Sequence, residues 1–212
     1  MPEQLAGLLE DGLSTLFVAT NPALIQNLLR YIELLDHWNQ RVNLTAVRKP
    51  RDMVVRHLLD ALSIAPHVTQ SSLVDIGSGA GLPGIPMALL NTEQQWHLVD
   101  SSGKRVSFMR EVVRQLELKN VQVSHSRIEE FQPSRKFPAA IARAFASLGE
   151  IADNASHLLL PEGTLWAMKG RYPQAELADL PANFHLVKVL PLEVPGLLED
   201  RHLVQLSFKP ET

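Results

Sequence analysis

From Pro22 to Asn39 apolar residues recur at three- and four-residue spacing, with Leu24, Ile25, Leu28, Leu29, Ile32 and Leu35 forming one stripe, the pattern of an amphipathic helix. Asn21 followed by Pro22 supplies a cap and a first-turn proline, which sets the helix start. A shorter helix is expected over Leu5 to Phe17. Another begins near Arg51 and runs through Leu58, Leu59, Leu62 and Ile64 until Pro66 stops it. Beyond Ser71-Ser72 the pattern changes to short apolar runs, at Leu73 to Ile76, Trp96 to Val99, Val121 to Val123, Ala139 to Ala142 and Leu165 to Met168. Each reads as a buried strand. Helices are expected between them over Lys104 to Leu116 and Leu148 to Leu160, and two further strands over Phe184 to Leu190 and His202 to Phe208. Strands alternating with helices predict a mostly parallel sheet covered on both faces. The expected organisation is an α/β chain with a helical extension over residues 1–70 and a sheet domain over 71–212.

Composition narrows the chemistry. The 212 residues are 45% hydrophobic and 20% charged, enough to bury a sizeable core. With no cysteine, disulfides, thiolate metal sites and covalent catalysis through sulfur are all excluded. No uncharged apolar run approaches the ~18 residues of a membrane helix and the first residues are acidic, so a cytoplasmic chain with no membrane contact is expected. The net charge of −3 does not announce a nucleic-acid binder. Its distribution is uneven, however. Arg41, Arg48, Lys49, Arg51 and Arg56 cluster against Asp52 alone, while Glu193, Glu199, Asp200 and Glu211 lie near the end. The basic cluster is either a solvated face or a phosphate-binding strip.

The most informative segment is Asp75 to Gly84, DIGSGAGLPG, placed where the first strand ends and a helix begins. Ligands bind at that carboxyl edge of an α/β sheet, and glycines there let a ligand approach the backbone. The second strand ends in Asp100, positioned to accept hydrogen bonds from ribose hydroxyls. Gly79, Gly81 and Gly84 also satisfy the dinucleotide spacing, so an NAD(P)-dependent oxidoreductase is one reading. Against it, Pro83 and Pro86 crowd the helix start where a pyrophosphate would sit. Asp75 would repel phosphates but suit an ammonium group, and only about a hundred residues follow Asp100. S-adenosylmethionine, a nucleoside with an amino-acid tail and no phosphate, fits better. A structural glycine turn in a non-catalytic RNA-assembly factor is the third reading.

Several segments together resemble one family. They are Asp75 to Met87, Asp100 to Met109, Trp38 to Ala46 (WNQRVNLTA), His57 to Ala61 (HLLDA), Arg127 to Glu129, Arg143 to Leu148 (RAFASL), Ala167 to Gly170 and Arg201 to Val204. The combination is similar to the small-subunit ribosomal RNA methyltransferase G family, also called glucose-inhibited division protein B. The resemblance implies a Rossmann-like class I S-adenosylmethionine-dependent methyltransferase with a seven-stranded sheet. It further implies transfer of a methyl group to N7 of a guanine in the decoding-region loop of 16S rRNA, as naked RNA or in the small ribosomal subunit. Carried over by position, Gly77 and Leu82 would line the methionine and ribose part of the cofactor site, and Ile128 and Glu129 would hold the adenine. Arg143 would lie beside the donor and reach toward the RNA. Family members usually place an acid after the aromatic where this chain has Phe137-Pro138, so an altered start to the fourth strand is expected, with Arg143 kept in register.

The residues themselves point the same way. Cytosine C5 methylation normally needs a cysteine, and exocyclic-amine methylation commonly uses an Asn or Asp followed by Pro-Pro and an aromatic; Arg143-Ala144-Phe145 stands there instead. Guanine N7 has an exposed lone pair and needs no proton removed, so alignment suffices. Arg143 and Lys169 are the candidate catalytic cations, able to donate to guanine O6 or a phosphate. Arg143 is alternatively a structural ion pair, and Asn43 and Thr45 are turn caps or part of the RNA cleft. His57 with Asp60 reads as a local hydrogen bond, and no histidine set has metal-ligand spacing, so no metal is expected. Trp38 and Phe145 are aromatics able to stack a base, Trp38 more readily core. Lys104, Arg105, Arg110 and Arg114 read as a solvated helix face, with phosphate contact a second reading for Arg110 and Arg114. The mild net charge is compatible with a monomer.

Overall fold

The computed structural model describes residues 2–143 and 146–210. Seven strands form one sheet: β1 (Ser72–Ile76), β2 (Gln95–Asp100), β3 (Val121–His125), β4 (Phe137–Arg143), β5 (Leu159–Lys169), β6 (Phe184–Pro191) and β7 (His202–Phe208), in the order β3-β2-β1-β4-β5-β7-β6. The first five run parallel to one another; β7 pairs antiparallel with both β5 and β6.

The alternation of β1 explains the two layers. Leu73 faces a core built with helices α1 (Pro2–Thr15), α2 (Pro22–Asn39), α5 (Gly84–Leu90) and α6 (Gly103–Gln115). Val74 and Ile76 face the opposite core with α7 (Leu148–Ser156). The stripe read from Leu24 to Leu35 is the buried side of α2, and Asn21 caps it by accepting a hydrogen bond from Leu24 N at 2.8 Å. The extension therefore shares one apolar core with the sheet. Tyr31 Oη reaches from α2 to donate to Ala80 O at 2.9 Å, so the extension also touches the glycine turn.

The third expected helix is composite. α3 (Pro50–Met53) passes into a π-helical stretch (Val54–Leu59) and then α4 (Asp60–Leu62). A π turn carries an extra residue, so side chains three apart no longer stack. The expected helix over Leu148 to Leu160 is shorter, because the chain turns at His157 and β5 begins at Leu159 rather than Leu165. Phe137 N donates to Leu158 O at 2.8 Å and Phe137 pairs with Leu159, so the sheet claims these apolar residues before a helix does. The start of β4 carries the altered register expected from Pro138, a shift between Phe137 and Ala139, after which Arg143 pairs in step with Met168. A short helix, α8 (Gln174–Ala178), follows β5.

Candidate active site

The glycine turn leaves β1 and is closed by its own chemistry. Ser78 Oγ donates to Asp75 O at 2.8 Å and accepts from Val99 N at 3.1 Å, tying the turn to β2. Gly79 has φ +61 and a side chain there would meet nothing nearer than Gly77 O at 3.9 Å, so a strip of open backbone faces outward. Gly81 has φ +82, and a Cβ would come within 2.3 Å of Ile85 Cδ1; here glycine lets the turn close onto α5.

Two adjoining hollows open over this turn and share Gly77 and Arg105. One, of about 200 Å³, is lined by Val99, Asp100, Ser126, Ile128 and Glu129. It brings together Gly77, Asp100, Ile128 and Glu129 as expected, with Ile128 and Glu129 in a short 3₁₀ turn after β3. The other, of about 300 Å³, is lined by Gly79, Leu82, Leu44, Thr45, His57 and Arg143. A larger, mostly apolar groove of about 740 Å³ between α1 and α2 shares no residue with either hollow and touches none of the expected site residues.

Asp100 Oδ2 accepts from Gly79 N at 2.9 Å and Oδ1 from Ser102 N at 2.8 Å, while Arg105 Nη1 lies 3.6 Å from Oδ2. A carboxylate has about four acceptor sites, so capacity for ribose hydroxyls remains. Asp75 behaves differently from expectation. Its side chain is fully buried and Oδ2 accepts from Gly84 N at 3.0 Å, capping the first turn of α5. Burial pushes its carboxyl up to about 7, against the lowering effects of the Gly84 N–H and the Arg143 charge. Asp75 thus holds the turn from beneath rather than meeting an ammonium group. Its carboxylate also occupies the helix start that a pyrophosphate would need, which disfavours a dinucleotide on physical grounds.

The expected hydrogen bond between His57 and Asp60 is not formed, because each side chain takes another partner. His57 Nε2 pairs with Thr45 Oγ1 at 2.8 Å, and burial, followed by the Arg143 charge, pushes the imidazole down to about 4. Asp60 accepts from Arg143 Nη1 at 3.0 Å and from Arg201 Nε at 2.9 Å. HLLDA, RAFASL and RHLV, separate in sequence, therefore meet at one carboxylate. Arg143 is both an ion pair and a wall of the cleft. Lys169 is diverted: its Nζ donates to Ala146 O and to Glu176 Oε2, each at 2.7 Å, and it lines neither hollow. The same Glu176 oxygen accepts from Leu148 N at 2.6 Å, so Lys169 braces the start of α7.

Trp38 packs edge-on against Phe108, with ring centroids 5.7 Å apart, and is a core contact. Phe145 lies outside the described residues. Arg105 was hidden in a helix face read as solvated, yet it borders both hollows; only its place one turn into the helix that follows Asp100 signals this. Arg110 and Arg114 stay on the outer surface, Arg114 paired with Glu111 at 2.7 Å. Among the described residues no group of acids and histidines is arranged to hold a metal ion, and no helix is long and apolar enough to cross a membrane.

This strand order, with a reversed β7, an open glycine turn after β1 and an acid closing β2, defines a class I S-adenosylmethionine-dependent methyltransferase fold. Solved structures agree in fold: TrmN from Thermus thermophilus has TM-score 0.56 at 19% identity, covering 73% of this chain and 53% of that one. The N-methyltransferase NodS from Bradyrhizobium japonicum, solved with S-adenosyl-L-homocysteine, has TM-score 0.55 at 16% identity, covering 85% and 98%. The sequence model of the family described as rRNA small subunit methyltransferase G matches residues 24–204. The Ribosomal RNA small subunit methyltransferase G of Stenotrophomonas maltophilia is 47% identical, over 98% of this chain and 97% of its own length. That of Shewanella amazonensis is 44% identical over 85% and 88%. The chain belongs to the rRNA small subunit methyltransferase G family, and S-adenosylmethionine is its cofactor. The residues present fit that molecule: open glycine backbone, the Asp100 carboxylate for a ribose, and the Ile128 turn for a base.

Proposed function

We propose that this chain transfers a methyl group to N7 of a guanine in the decoding-region loop of 16S rRNA, acting in the cytoplasm as a single chain. The observation that carries this reading is that the hollow over Gly79, Leu82 and Arg143 is lined by no carboxylate and by no free imidazole, among the described residues. Thr45 engages His57 Nε2, and Nδ1 is buried. Asp60 is held by two guanidinium groups, Asp75 caps α5, and Asp100 accepts two backbone N–H groups. Such a site suits a nucleophile that already has a lone pair and needs only alignment.

When bound, S-adenosylmethionine supplies an electrophilic methyl group on a sulfonium. This chain's residues do the rest by position. Gly77, Asp100, Ile128 and Glu129 would hold the nucleoside, and Leu82 with the glycine turn would hold the methionine part. Arg143 has guanidinium donors beyond those used by Asp60 and would reach guanine O6 or a phosphate. Lys169 acts as a positioning residue, holding Ala146 directly and the start of α7 through Glu176. Leu44 and Thr45, from the helical extension, form the wall facing the turn. The experiment is methyl transfer from tritiated donor to 16S rRNA or small subunits from cells lacking this protein, with nuclease mapping of the label. Label at a guanine N7 is expected; incorporation elsewhere, or none, overturns the reading.

A further inference from the structure

We propose that Asp60 is a specificity-determining residue that sets the charge of the cleft, so that the cationic methyl donor is held in preference to its neutral spent product. The inference rests on S-adenosylmethionine occupying the cleft between the glycine turn and Arg143.

The wall of that cleft carries a guanidinium, Arg143, whose side chain is only 20% exposed. A second, Arg201, sits on the far side of the same carboxylate with 21% exposure. One acid therefore serves two cations in a partly desolvated place, where charge is weakly screened. Of the other acids nearby, Asp100 faces Arg105, Asp75 lies fully buried against the start of α5, Glu199 pairs with Arg56, and Glu129 lines the neighbouring hollow; none of them bonds to Arg143 or Arg201. His57 beside Arg143 is held neutral. Asp60 is thus the group that keeps the Arg143 side of the cleft from carrying two uncompensated positive charges. A site for a sulfonium cation has to avoid that surplus.

The cofactor itself offers a clean probe. S-adenosylmethionine and S-adenosylhomocysteine share adenosine, ammonium and carboxylate groups, and differ in one methyl group and one positive charge at sulfur. The ratio of their affinities therefore reports the potential at sulfur and cancels losses common to both. Changing one unit charge in such a partly desolvated wall alters this ratio on the order of tenfold.

The test is titration calorimetry of both ligands on the full chain, with Asp60→Asn and Arg201→Gln. In Asp60→Asn the dissociation constant for S-adenosylmethionine is expected to rise about tenfold while that for S-adenosylhomocysteine changes less than twofold. Arg201→Gln removes a cation and should move the ratio the opposite way, by several-fold. Equal weakening of both ligands in Asp60→Asn would show a purely structural brace and overturn the proposal, as would an unmoved ratio in Arg201→Gln. Should Asp60→Asn not fold, Arg201→Gln decides alone. Wild-type protein that binds neither ligand would instead overturn the cofactor placement on which the inference stands.

Discussion

His57 and Asp75, each buried beside the cleft, bring opposite pH dependences to stability. The folded imidazole titrates near 4 and an unfolded one near 6.5, so the unfolded chain takes up the proton first as pH falls. Stability tied to His57 is intact above about pH 6.5 and is lost between there and pH 4, amounting to about 2 kcal/mol at pH 5. His57→Gln, which keeps a polar group toward Thr45 without that titration, should flatten the denaturant-midpoint difference between pH 7.5 and pH 5 by a corresponding amount. Asp75 runs the other way. Burial holds its folded carboxyl at about 7 against an ordinary 3.8, so the folded chain retains a proton that the unfolded chain has released. Stability tied to Asp75 is lost as pH rises from about 4 to 7 and stays lost above. Asp75→Asn can still accept from Gly84 N without carrying a charge. Its melting temperature relative to wild type should be higher at pH 8 than at pH 5, and a difference that did not vary with pH would refute the assignment.

The loop from Asn43 to Val47 shows how an element of the extension becomes part of the site. Asn39, at the end of α2 and 3% exposed, accepts from Leu44 N at 2.9 Å and Thr45 N at 3.0 Å and donates to Val47 O at 3.2 Å. Asn39→Ala strands these backbone groups and should cost about 2–4 kcal/mol in denaturant unfolding. Because Leu44 and Thr45 line the cleft, kcat/KM should fall at least ~10-fold under conditions where the variant is still folded; full activity there would show that the wall is dispensable. This loop also marks the limit of legibility. The α2 stripe, the strands and the glycine turn follow from periodicity and turn chemistry, which are local. Asp100 follows from its place at the end of the second strand, and the family motifs point to Gly77, Leu82, Ile128, Glu129 and Arg143, all of which line the two hollows. The pairing of Asp60 with Arg143 and Arg201 spans 83 and 141 residues and depends on a π turn that no local pattern announces. Lys169 was legible as a cation at a strand end, but its capture by Glu176 is a contact made only once α8 folds back. Leu159 is apolar enough for helix or strand, and only pairing with Phe137 decides.

Across the whole molecule the basic cluster divides into residues that build the protein and residues left to meet a partner. Arg48 donates to Asn39 O and Asn43 Oδ1, each at 3.0 Å, and Arg56 pairs with Glu199 at 2.6 Å. Arg41, Lys49 and Arg51 are exposed and make no ion pair among the described residues. Arg41 precedes the Leu44 and Thr45 segment in the chain, while Lys49 and Arg51 border the groove between α1 and α2, so they would meet RNA that extends beyond the cleft along that face. The chain's net charge of −3 works against a polyanion at long range, which leaves binding dependent on local contacts of this kind. Each phosphate neutralised releases counterions, so the slope of log binding constant against log salt counts the contacts, at about 0.7–0.9 per phosphate. Replacing Arg41, Lys49 and Arg51 together by Gln should reduce that slope for 16S rRNA by about 2–3 and leave cofactor affinity untouched. A variant with the wild-type slope would show that these three cations face only solvent and that the RNA approaches from the Arg143 and Arg201 side alone.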